Sequence, residues 1–145
     1  MGDKNSVAGN SNSVWGSSNA VGGNNNAIDG NANGIFGNSN FVNGNQNGII
    51  GSKNYVGGDS NVIKGNSNGV LGDKNSIWGS SNGVIGGDNN LMGNSNLVKG
   101  DKNTIQGSSN YVMGGNNYVI SSSDYYWYLL FFLIYFLILS ILLFY

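Results

Sequence analysis

Glycine recurs at every seventh position of this chain, from Gly2 to Gly114, seventeen times without a slip. An asparagine stands three places after each of these glycines, from Asn5 to Asn117, and two places later comes Val, Ile or, once, Leu91. The unit is Gly-x-x-Asn-x-Val-x. Such a period takes precedence over every other sequence signal, because one unit cannot bury its own apolar residue and gains stability only from its neighbours.

A seven-residue period invites a coiled coil, but that needs two apolar positions per heptad with good helix formers between them. Here Gly and Asn, both poor in helix interiors, fill two of every seven positions. A strand fits instead. At period two, Asn, Val and the next Gly point to one side, and the residues flanking Val point to the other. The pair after each Gly is left to turn the corner, and its members (DK, NS, SS, GN, NQ, SK) have turn chemistry. Two units close a fourteen-residue rung with two opposed strands, and stacked rungs make an all-β parallel β-solenoid, a β-roll. Inward Val and Ile from the two strands meet in a thin core, each worth roughly 1.5 to 3 kcal/mol when fully buried. The asparagines Asn5, Asn12, Asn19, Asn26, Asn33, Asn40, Asn47, Asn54 and their later equivalents then stack as structural ladders, their amides satisfying one another and the turn backbone. Gly supplies positive φ and close approach at the corner. Seventeen units give eight and a half rungs, a rod about 40 Å long at about 4.8 Å per rung. Residues 65–92 and 93–120 also match in the order of their corner pairs, as a two-rung duplication would leave them.

Composition narrows the function classes. Of 145 residues only 9% are charged, and the net charge of -1 offers no basic footprint for nucleic acid. Gly (25) and Asn (28) dominate the chain, yet apolar residues recur on schedule, so it orders. His, Cys, Arg, Glu and Pro are absent, which removes the usual general bases, thiolate nucleophiles, soft metal ligands and guanidinium clamps. The expectation is a protein that is not an enzyme and holds no cofactor. Corner acids Asp3, Asp59, Asp73 and Asp101 do not follow the nonapeptide pattern of calcium rolls and read as solvated turn residues.

The xxNxVxG repeat resembles the ice-recrystallisation-inhibition and antifreeze domain of grasses, over residues 2–120, with Asn5, Val7, Gly9 and their later equivalents matching the motif. The resemblance implies a small β-solenoid that binds an ice surface through a flat face, without catalysis. A looser resemblance, to the heads of trimeric autotransporter adhesins, lacks their Ala-Ile-Gly wording. Thr104 is the only threonine in the chain, so neither outward face is a threonine array. The outward positions instead carry scattered large apolar groups, and exposed aromatics in number mark contact surfaces. Ser13, Trp15, Phe36, Phe41, Tyr55, Trp78, Thr104, Tyr111 and Tyr118 are therefore the candidate surface-binding residues. Through them the alternative is a structural or adhesive rod that binds protein or glycan, or self-associates.

After Ile120 the register decays: Ser121 replaces Gly and Asp124 replaces Asn, so residues 121–124 read as a degenerate linker or cap. Residues 125–145, YYWYLLFFLIYFLILSILLFY, are interrupted only by Ser140. As a helix they span about 31 Å, the thickness of the hydrocarbon core. Tyr125, Tyr126, Trp127 and Tyr128 form an aromatic belt for one interface, and Tyr145 marks the other. The expectation is a single-pass C-terminal transmembrane helix in the lipid bilayer, with the solenoid over residues 1–120. A tail of this kind inserts late and leaves the solenoid cytosolic, whereas a preceding signal sequence would put the rod outside. No Lys flanks the tail to choose an orientation.

Overall fold

The computed structural model describes residues 2–121. Each heptad forms one three-residue strand, from β1 (Ser6–Ala8) to β17 (Tyr118–Ile120). Odd-numbered strands line up in chain order as one nine-stranded parallel sheet, and even-numbered strands form an eight-stranded sheet opposite. Every pairing joins residues fourteen apart, as in Val7↔Val21 and Val70↔Val84. This is the parallel β-solenoid of about eight turns that the period demands. The central residue of each strand points inward, and from Val14 to Val112 these residues are buried in one continuous core. At its N-terminal end the core is open, with Val7 46% exposed, because no described rung covers it. At the other end Val119 packs against the core while remaining partly exposed.

The corners explain why glycine does not vary. At Gly58 φ is +124°, and a Cβ there would collide with the backbone carbonyl of Gly72 one rung on. Two penalties, torsional and steric, thus fall on any replacement. The residue two places after each of these glycines is also left-handed, at φ between 56° and 61°, yet it is Lys, Ser, Asn, Ala, Gln or Asp. It bears a torsional penalty of about 1 to 2 kcal/mol but no clash, and its N–H is held by the rung before, as in Lys74 N–H to Asp59 O at 2.9 Å. The sequence places positive φ at the glycine alone; stacking of the rungs adds the second site.

The register continues to Ser121, whose N–H donates to Gln106 O at 2.8 Å. The rest of the expected linker and the expected helix over 125–145 lie outside the described residues. Among the described residues no helix is long and apolar enough to cross a membrane.

Candidate functional site

The surface available for function is what remains after two sets of ladders have taken their residues. Asn61 shows the inner set. Its N–H and Nδ2 both donate to Asn47 Oδ1, at 2.9 and 3.0 Å, and Nδ2 also donates to Gly72 O at 2.8 Å. Its Oδ1 accepts from the N–H and Nδ2 of Asn75, both at 3.0 Å. Both amide hydrogens and both oxygen lone pairs are therefore used, as burial of a primary amide requires. One such ladder runs beneath each sheet, and Asn19 through Asn103 are buried at every seventh position. The ladders are scaffold, as the spacing implies, and their buried members from Asn19 to Asn103 hold no group free for a ligand.

A second set runs along the exposed corners. The first residue after Gly offers a side-chain oxygen to the backbone N–H fourteen residues earlier: Asn45 N–H to Asp59 Oδ1 at 2.6 Å, Asp59 N–H to Asp73 Oδ1 at 2.7 Å, Ser52 N–H to Asn66 Oδ1 at 2.8 Å. These bonds point toward the C-terminus, opposite to the inner ladders. Sequence reasoning treats this position as drifting turn. The signal was present, since it holds only Asn, Ser or Asp except at Gly87 and Gly115.

The remaining positions form two outward faces. On the nine-stranded face one column reads Ser6, Ala20, Gly34, Gly48, Val62, Ser76, Asn90, Thr104, Tyr118, and the other Ala8, Gly22, Phe36, Ile50, Lys64, Trp78, Met92, Gln106, Ile120. Lys64 is the one charge there, and its Nζ lies 5.5 Å from the centre of the Trp78 ring, a cation–π contact. On the eight-stranded face the columns read Ser13, Ala27, Phe41, Tyr55, Gly69, Gly83, Leu97, Tyr111 and Trp15, Asp29, Asn43, Gly57, Leu71, Ile85, Lys99, Met113. Large side chains next to outward glycines shelter them: Phe36 covers Gly22, Leu71 covers Gly57 and Leu97 covers Gly83, the pairing by which a neighbour rescues a glycine in a sheet.

Residues 1–72 match the family model of the grass antifreeze beta roll. Over this stretch the chain is similar to that family. No curated protein matches the chain. The β-roll geometry does not stop at the matched residues, for the same heptad, strands and ladders continue to Ser121.

On this beta roll the nine candidate surface residues do not form one site. Phe36, Trp78, Thr104 and Tyr118 lie on the nine-stranded face, and Ser13, Trp15, Phe41, Tyr55 and Tyr111 on the opposite one. Phe36 and Trp78 flank a groove of about 450 Å3 floored by Gly34 and Gly48. Thr104 sits between Asn90 and Tyr118 near the C-terminal end of that face. On the other face Ser13, Trp15 and Phe41 come together, with Tyr55 stacked on Phe41, while Tyr111 is remote and donates its hydroxyl to Met113 Sδ at 3.0 Å. Sequence reasoning missed Asp29 and Asn43 as partners of the aromatics, because their proximity depends on register across three rungs. Among the described residues no group of three or more His, Cys, Asp or Glu side chains could hold a metal ion.

Proposed function

We propose that the β-roll binds ice, without catalysis, through its nine-stranded face, and that residues 125–145 tether it to a bilayer. The observation that carries the ice reading, beside the family match, is the column from Ser6 to Thr104. Its eight residues carry nothing bulkier than Val or Asn and repeat at the rung spacing of about 4.8 Å, a regular array of small groups. No single group there binds water tightly. Adsorption comes from many weak contacts made in register, and a scaffold with buried ladders presents them without an ordering cost. The chain's lack of His, Cys, Arg and Glu supports the non-catalytic part.

The test is ice recrystallisation measured with the full chain in detergent micelles. Inhibition is expected, and the triple variant Ala20→Lys, Gly48→Lys, Ser76→Lys should raise the concentration needed for half-maximal effect by about tenfold, ~1.4 kcal/mol. These positions point to solvent, so the fold persists. Activity unchanged by the three lysines would sink the assignment of this face. For the tether, the apolar run over 125–145 is the support. The chain should resist alkaline extraction from membranes, and release into the soluble fraction would remove the proposal.

A further inference from the structure

The N-terminal half of the eight-stranded face carries a feature that ice adsorption does not use. A notch of about 220 Å3 lies over Ala27, bounded by Ser13, Trp15, Asp29, Phe41 and Asn43. Phe41 and Tyr55, one rung apart, stack with ring centres 4.9 Å apart and planes 5° from parallel. That separation equals the rung spacing of about 4.8 Å, so the stack runs along the rod axis. One face of Phe41 is taken by Tyr55. Its other face is turned toward the preceding rung, where Ala27 leaves the stack vacant. Trp15, 63% exposed, stands across the notch, its Nε1–H donating to Ser13 Oγ at 3.0 Å, which pins the indole beside its own strand.

We infer that this notch is a binding site for a neutral pyranose ring, laid on the free face of Phe41 in the rung of Ala27. A sugar in that position continues the aromatic stack with its C–H face. Its hydroxyls radiate from the ring edge, and polar side chains stand on several sides: the Asp29 carboxylate in the same strand as Ala27, the Asn43 amide one rung on, and the Ser13 hydroxyl one rung back. An acceptor-only group beside an amide that both donates and accepts is the inventory that reads neighbouring hydroxyls. A quaternary ammonium would use the aromatics and Asp29 but leave Asn43 and Ser13 without a role. An anionic nucleotide would meet Asp29, the only charge at the notch. The small volume suits one ring rather than a drug-sized ligand. The site lies on the face opposite the proposed ice surface, so the two readings stand or fall separately.

The test is saturation-transfer NMR on the full chain in a sugar-free detergent, with the methyl glycosides of glucose, galactose, mannose and xylose and a trisaccharide of each as probes. At least one glycoside should receive transfer at its ring C–H protons. Transfer to both methyl glycoside and trisaccharide assigns a single ring, and transfer to the trisaccharide alone assigns a residue within a glycan. Ala27→Ile fills the notch from an outward strand position and should abolish transfer. Asp29→Ala should weaken binding by about tenfold, as expected when one charged hydrogen-bonding partner is lost. Ice activity should be unchanged in both variants. No transfer to any probe, equal transfer in Ala27→Ile, or binding of choline or a nucleoside in place of every sugar would each overturn the proposal.

Discussion

The buried asparagine ladder and the exposed corner ladder perform the same task, presenting a side-chain oxygen to a backbone N–H one rung away, and they differ in how much variation they permit. The inner position is Asn in all seventeen heptads, whereas the outer one accepts Asn, Ser, Asp and twice Gly. Geometry alone does not explain the contrast, because the bonds have similar lengths: 3.0 Å for Asn75 N–H to Asn61 Oδ1 and 2.8 Å for Ser52 N–H to Asn66 Oδ1. Water does. When an outer oxygen is missing, the N–H turns to solvent. When an inner side chain is missing, three groups lose their partners in a place water does not reach, and each orphan costs about 1 to 3 kcal/mol. The inner position must also supply two donors and two acceptor sites at once, which Ser cannot do and Asp cannot do without a buried charge.

The largest expected effect is that of Asn61→Ala. It strands Gly72 O and two donors of Asn75, while Asn47 Oδ1 keeps the backbone N–H of residue 61, and should cost at least about 3 kcal/mol. Repeat arrays do not unfold in one step, so the sharpest readout is amide hydrogen exchange, with protection lost first in the rungs on either side. Asn66→Ala removes the oxygen that Ser52 N–H uses at an exposed corner, and should cost less than about 1 kcal/mol. Equal losses for the two variants would break the argument that burial sets the tolerance. The smallest effect is a gain. Gly87 leaves Asp73 N–H without the side-chain oxygen its neighbours have, and its own backbone is not left-handed. Gly87→Asn should therefore restore the outer ladder and stabilise by about 0.5 kcal/mol, seen as slower exchange at Asp73. A loss there would mean that the tight approach of the new Cβ to Asp73 O, 3.2 Å, outweighs the bond.

The same contrast separates the scaffold from its surfaces. Phe41 and Asp29 can vary without harming the stack because they point outward, so the repeat carries no message about them. Their meaning comes from neighbours fourteen and twenty-eight residues away in sequence.

By itself the sequence determined the class of fold, the rung length, the inward residues and the asparagine ladders. The reason is that a strict period leaves one way to bury an apolar residue and satisfy an amide in every seven. Only the tertiary structure decided the rest. Ladder direction, the left-handed residue after each corner, the outer ladder and the grouping of Trp15, Asp29, Phe41 and Asn43 over Ala27 all arise from contacts between rungs. Those contacts exist only once the rungs are stacked, and side chains released from the period can meet there in combinations that no single heptad encodes.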